Sequence, residues 1–423
     1  MQATAQTPGV TNPHALACIM KASETCQIVA QEDILDEHGV KLWAKGQPVS
    51  RALQQRLIER KLSQPLESCL RAEEGVTHGE IVEVARRLID AQPLLHSAVS
   101  PWASDLLNDV PRLPMHPVAQ LLLTAARGSN PQAYEHSIQS MLLAGALAVH
   151  AGGDRYQQRL SMLGGLLHDI GELYIQPDHL RDDLSMGPEA WRSICVHPRV
   201  GEMLLQRQTD YPKELCRAVG EHHERGNGLG YPARVRYLSW LGARLSAVET
   251  FMGVLTTQQP DAWEHAALAV RLVPGEFDGS AASFASQAAR RHQSHGRIAP
   301  CPDGETVWEA AQELKNGLRA SLRESWVLAA SSTSPKVSGT ARLVTPILEQ
   351  LLRSCDSLGL WAPRHLAGNH LHELHLARQE LAFRVQALRR ITCWIDESWQ
   401  PEETEELDRL WQSVDAGFEV EAA

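Results

Sequence analysis

The feature that most constrains this chain is an ordered series of histidines, each within or beside a helical apolar pattern. His136 lies in YEHSIQSMLLAGALAVH, His168 and Asp169 in GGLLHDIGELY, His197 in VHPRVGEMLL, and His222 and His223 in EHHERGNGLGYP. Successive groups stand about 25 to 32 residues apart, roughly one long helix and its turn. That spacing lets four or five antiparallel helices bring their polar residues to a common point inside a bundle. Any one of the 19 histidines says little, and an isolated His-Asp pair says no more. The ordered set is different, and it predicts a metal site. Neutral imidazoles with a carboxylate suit borderline divalent metals such as Fe, Mn or Zn. A His-Asp pair can place its carboxylate between two ions, and ions about 3.5–4 Å apart activate a bridging water and stabilise in-line phosphoryl displacement. No side-chain nucleophile is required, so the chemistry expected is phosphate-ester hydrolysis by a metal-bridging hydroxide.

Composition narrows the surroundings of such a site. The chain has 423 residues, 43% hydrophobic and 22% charged, an ordinary globular balance with material for two or three domains. Plentiful Ala and Leu favour helices. The formal charge of −11 argues against a nucleic-acid polymer as partner, since that calls for a basic face. The eight cysteines form no close C-x-x-C pair and read as reduced, mostly buried thiols. The N-terminus lacks a basic segment followed by an apolar run, so no signal peptide is expected. No apolar stretch reaches about 18 residues, so no membrane span is expected and a cytoplasmic location follows.

Along the chain, residues 1 to 20 read as a loose polar tail. CQIVAQEDIL and VKLWAKG read as two short strands joined by a turn over Asp36, Glu37, His38 and Gly39. Ser50 then caps a helix through Leu62, with Leu53, Leu57 and Ile58 on one face. Thr77 and Glu80 form a capping-box signal. Beyond about residue 260, Trp308, Ala311, Leu318, Leu322 and Trp326 fall near one helical stripe. SSTSPKVSGT, residues 331 to 340, reads as a linker. The fold expected is mainly α. It has a small β-hairpin and helix module within 1–75, a helical bundle over 76–265 with its motif core at 130–260, and a helical region over 266–423.

HDIGE, HPRVG and HHERGNGLGYP resemble the successive signatures of the HD-GYP family, over about 130 of the 423 residues. The HHE-R-x-N-G-x-G-Y-P segment is the most specific part. The resemblance implies an HD-type bundle holding two or three metal ions, commonly iron or manganese, that hydrolyses cyclic di-GMP to the linear dinucleotide or GMP. It places His136, His168, Asp169, His197, His222 and His223 as metal ligands, with His168 and Asp169 at the catalytic core. Gly230, Tyr231 and Pro232 match the loop that shapes the substrate site and meets partners, among them a diguanylate cyclase or another signalling protein. Arg225, directly after the double His, is the candidate phosphate contact, ahead of Arg199 and Arg244.

The sequence departs from the family pattern in three places. Glu172 stands where the family has a lysine facing substrate phosphate, and a carboxylate there repels phosphate where the dielectric is low. Glu249 stands where the family has an aspartate ligand, one methylene longer. Gln132 stands where some members carry a glutamate for a third metal, so two ions are expected rather than three. A catalytically degenerate module that binds nucleotide or a signalling partner is therefore the alternative, and a general HD nucleotidase a weaker one. His365, His370, His372 and His375 have the wrong spacing for an H-E-x-x-H site and read as a solvated helix face.

Overall fold

The computed structural model describes residues 11–57, 60–180, 186–293, 304–361, 369–394 and 399–415. It is mainly helical, with four short strands among those residues. They divide into two compact units, 1–252 and 253–423.

The first unit opens with a helix where a loose tail was expected. Asn12 caps α1 (Pro13–Ala22) by accepting from the N–H groups of His14 and Ala15, and Pro13 supplies a preset φ at the first position. Ala15, Leu16, Ile19 and Ala22 form a buried face, which a polar-looking composition concealed. The hairpin is present, with β2 (Ile34–Leu35) antiparallel to β3 (Lys41–Trp43). Asp36 closes its turn by accepting from the N–H groups of His38 and Val40, each at 2.9 Å. The earlier strand, β1 (Ile28–Ala30), bonds on one side to residues 46–49, just after the hairpin, and on the other pairs with β4 (Leu70–Ala72), a strand absent from the sequence reading. Helix α2 (Arg51–Leu57) buries Leu53 and Leu57 but stops short of Leu62, which bridges to Asp36; Ile58 lies outside the described residues. The short α3 (Leu66–Cys69) leads into β4.

Helices α4 (His78–Ala91), α5 (Pro93–Val99), α6 (Ala103–Asp109), α7 (Pro117–Ser129), α8 (Pro131–His150) and α9 (Arg155–Leu167) build the body of the bundle. Thr77 does cap α4 through the N–H of Glu80, while the Glu80 carboxylate pairs with Arg127 instead of closing the box. Helix α8 is buried from Ser140 to Ala148, which explains its near-continuous apolar sequence. α9 begins at a full capping box between Asp154 and Gln157. Helices α10 (Pro188–Ile194), α11 (His197–Gln208), α12 (Lys213–Glu221) and α13 (Trp240–Leu255) complete this part.

The second unit holds α14 (Ala262–Leu272), α15 (Gly279–Gln293), α16 (Gly304–Ser331), α17 (Pro335–Ser357), α18 (Asn369–Arg389) and α19 (Pro401–Asp415). The stretch expected as a linker is mostly helix. α16 runs to Ser331, and Ser334 caps α17 with Pro335 at its first position. The Ser and Pro that suggested a linker are capping residues. The buried stripe of α16 runs through Val307, Ala311, Leu314, Leu318 and Leu328, whereas Trp326 is exposed. Arg384 is buried between the carboxylates of Glu276 and Glu380 and donates to the Ala269 carbonyl at 2.7 Å. His372 is half-buried and 3.5 Å from Asp261, so it does not sit on a solvated face; His370 is exposed and His365 lies outside the described residues. The seven described cysteines are unpaired, and no helix among the described residues is long and apolar enough to cross a membrane.

Candidate metal centre

Helix ends and neighbouring turns deliver the polar groups to one place. His136 stands within α8, His168 caps α9 and Asp169 follows it. His197 opens α11, His222 caps α12 and is followed by His223, and Glu249 comes from α13. The glycine of HDIGE makes this approach possible. A Cβ on Gly171 would fall within 3.0 Å of the His197 carbonyl and the Gly201 N–H, so only glycine lets this turn rest on the start of α11.

Asp169 lies at the middle. Its Oδ2 is 3.0 Å from His168 Nε2 and 3.4 Å from His136 Nε2. Its Oδ1 is 3.3 Å from both His197 Nε2 and His222 Nε2. Glu249 Oε2 joins the first side, 3.5 Å from His168 Nε2 and 3.9 Å from His136 Nε2. Two potential cation sites result, one formed by His136, His168 and Glu249 and the other by Asp169, His197, His222 and His223. One carboxylate thus offers an oxygen to each.

The protonation pattern fits cations. Carbonyl oxygens only accept, so Nδ1 must donate where His168 meets Gly165 O at 2.9 Å, His197 meets Ile194 O at 2.8 Å and His222 meets Val219 O at 2.6 Å. In a neutral ring that leaves Nε2 bare and turned inward, the tautomer a metal ligand needs. The bare Nε2 atoms of His197 and His222 are then only 3.0 Å apart, and those of His136 and His168 are 3.3 Å apart. Lone pairs facing at that distance repel unless positive charge stands between them. Asp169 Oδ1 and Glu249 Oε2 are also buried with no hydrogen-bond partner, a costly state that a cation would relieve.

Electrostatics follows the same division. Burial alone would raise Asp169, but the positive charge of His168, whose own pKa is raised, and Nε2–H donation from His168, His197 and His222 outweigh it and hold the carboxyl well below its usual range; a bound cation would take the place of those protons. Burial similarly opposes ionisation of Glu249, and the hydrogen bond from His168 holds its carboxyl down. Burial first, then His222, pushes His223 well below the ordinary imidazole value, keeping it neutral. Glu172 is half-buried on the turn after Asp169. Burial and then Asp169 push its carboxyl up to about 8.

The loop after the double His folds tightly over the second site. A Cβ on Gly230 would fall within 3.0 Å of Glu224 Cα, His223 O and Arg225 N, whereas positive φ is found at Gly228 and not at Gly230. Tyr231 stacks on the His223 ring, with centroids 4.5 Å apart and planes at 19°, and its peptide bond to Pro232 is cis. Arg225 donates through Nη1 to the His222 and Glu224 carbonyls and to Ser246 Oγ at 2.8 Å, bracing the loop instead of leaving that nitrogen for a phosphate. Arg199 pairs with Glu202, and Arg244 donates to Ser161 at 2.9 Å.

Two glutamates that sequence reasoning passed over hold this loop. Glu224 is buried and accepts from the N–H groups of Ala233, Arg234 and Val235. Glu221 accepts from the N–H and hydroxyl of Ser239. Sequence gave no signal for them, since Arg217 stands four residues before Glu221 and pairs with it, and Arg225 directly follows Glu224.

Residues 133–249 match the model of the HD domain family. A cyclic di-GMP phosphodiesterase of Pseudomonas aeruginosa is 30% identical over 184 residues, covering 42% of this chain and 44% of that protein. Two 3'3'-cGAMP-specific phosphodiesterases of Vibrio cholerae are 27% and 26% identical over 169 and 144 residues, covering 37% and 34% of this chain. The chain spans less than half the length of each of these relatives, the Vibrio matches covering 36% and 33% of theirs. No solved structure matches. The chain carries an HD domain over residues 133–249, and every residue of the two cation sites falls inside it.

Proposed function

We propose that this chain is a metal-dependent phosphodiesterase that hydrolyses cyclic di-GMP at a centre of two divalent ions, iron or manganese. The observation that carries the reading is the sharing of Asp169, one carboxylate oxygen toward each group of imidazoles. His136, His168 and Glu249 would complete one site, and His197, His222 and His223 the other. A pair of divalent ions supplies the Lewis acidity that phosphodiester hydrolysis needs at neutral pH. The chain's own part is positioning. The backbone carbonyls of Gly165, Ile194 and Val219 fix three imidazoles with Nε2 inward, and the loop from Arg225 to Pro232 closes one side of the site. The names of the relatives support a cyclic dinucleotide as substrate. The 30%-identical relative, named as a cyclic di-GMP phosphodiesterase, supports cyclic di-GMP as the dinucleotide.

Full-length protein loaded with iron or manganese under reducing conditions should convert cyclic di-GMP to the linear dinucleotide or GMP, and Asp169→Ala should not. Absence of turnover with metal bound would transfer the function to nucleotide or partner binding. Glu172 favours that second reading, because it replaces a cation with a carboxyl group. Glu172→Lys separates the two: a large gain in turnover marks the natural protein as impaired.

A further inference from the structure

The imidazoles of the two sites are not all held in the same way. His168, His197 and His222 each donate from Nδ1 to the carbonyl three residues earlier. Among the described residues, no hydrogen bond reaches the rings of His136 and His223 except the contact of His136 with His168. His136 stands inside α8, whose backbone limits its rotamers. His223 has no helix around it, since α12 ends at Glu221. A ligand on a loop with no outer hydrogen bond is poorly preorganised unless something else fixes its plane.

What meets the His223 ring is an aromatic clamp. Tyr231 lies face to face with it at 4.5 Å and 19°. The edge of the buried Trp191 in turn meets Tyr231 at 6.1 Å and 67°. On its other sides His223 contacts the rings of His222 at 4.4 Å and His197 at 5.0 Å. The backbone registers the clamp as well, because the Tyr231 N–H donates to the His223 carbonyl at 3.1 Å.

We infer that Tyr231, backed by Trp191, is the positioning residue for His223, fixing the plane in which its ring nitrogen faces the Asp169, His197 and His222 side of the centre. The inference rests on the metal-centre reading above. It makes the aromatic ring, not the phenol hydroxyl, the working part of Tyr231. It also makes the effect one-sided, because Tyr231 stacks on no ligand of the His136, His168 and Glu249 site.

The test is a manganese titration by calorimetry, with metal counting by elemental analysis, on full-length protein and on Tyr231→Phe, Tyr231→Leu and Tyr231→Ala. Far-ultraviolet circular dichroism monitors folding. Wild type and Tyr231→Phe should bind two ions with similar affinity. Tyr231→Leu, which fills volume without a ring, should keep one ion and bind the other on the order of 10–100-fold more weakly, the usual loss when an outer support is removed. Tyr231→Ala should do the same if it folds, and Tyr231→Leu decides the matter if it does not. The inference is overturned if Tyr231→Leu binds both ions as tightly as wild type, if Tyr231→Phe weakens binding as much as Tyr231→Leu, or if folded Tyr231→Leu loses both ions together. Wild type that binds no manganese or iron overturns the metal centre itself, which is a distinguishable result.

Discussion

Glu224 offers the most quantitative perturbation of the site loop. Its carboxylate is 1% exposed and accepts from the N–H groups of Ala233 at 2.6 Å, Arg234 at 3.0 Å and Val235 at 3.1 Å. Burial raises its pKa, and the three backbone donors pull against that rise, so the bonds offset a real desolvation cost. Hydrogen bonds to a charged acceptor contribute about 1.5–3 kcal/mol each. Taking the lower value throughout and subtracting a partial desolvation cost leaves about 3 kcal/mol on loop closure. Glu224→Ala should then raise the open population of the loop about 100-fold. Hydrogen exchange followed by mass spectrometry reads this on peptides covering residues 225–239, with α9 peptides as the internal reference. Glu224→Gln keeps one amide oxygen and should fall between wild type and alanine. Exchange of the Ala233, Arg234 and Val235 amides within about threefold of wild type in Glu224→Ala would refute the reasoning.

Other perturbations act on different links. Gly171→Ala drives a Cβ against the His197 carbonyl and should lower stability by about 1–3 kcal/mol or more, with loss of bound metal, as read by thermal unfolding and elemental analysis. Stripping metal with a chelator should lower the unfolding temperature of wild type but not of Asp169→Ala; equal shifts would contradict a cation held through Asp169. Arg384→Ala leaves Glu276 and Glu380 buried without their cation and should destabilise the second unit by about 3–5 kcal/mol in urea unfolding. Burial opposes the ionisation of Glu380, yet Arg384 and then His265 hold its folded pKa below 4.5. Its stabilising contribution is therefore present above pH 4.5 and is lost as pH falls through the folded value, so acid unfolding should begin below that point and be blunted in Glu380→Gln.

The candidate metal ligands were legible in the sequence because coordination favours particular atoms. His, Cys, Asp and Glu supply most of them, and their recurrence at helical intervals marks the bundle before any contact is known. Glu249 was legible on the same ground, as a carboxylate where one was required. The devices that hold those ligands were not legible. Glu224 and Glu221 bind backbone N–H groups, which every residue but proline carries, so the partner sequence leaves no trace. The glycines of GNGLG divide two uses that the sequence does not separate, positive φ at Gly228 and close approach to the backbone of Glu224 at Gly230. In the N-terminal module, β1 lies between the segment after the hairpin and β4 some 40 residues later, and local propensity does not reveal the distant neighbour. Ser334 and Pro335 read as a linker because the residues that start helices are also those that break them.

The measurement that most directly tests the shared role of Asp169 is electron paramagnetic resonance of the manganese-loaded, full-length protein with the metal counted on the same sample. Two manganese ions per chain with an exchange-coupled signal are expected, and Asp169→Ala should abolish the coupling and lower the count. Two ions showing only the signal of isolated manganese, or an Asp169→Ala variant that keeps a coupled pair, would contradict a centre bridged by Asp169.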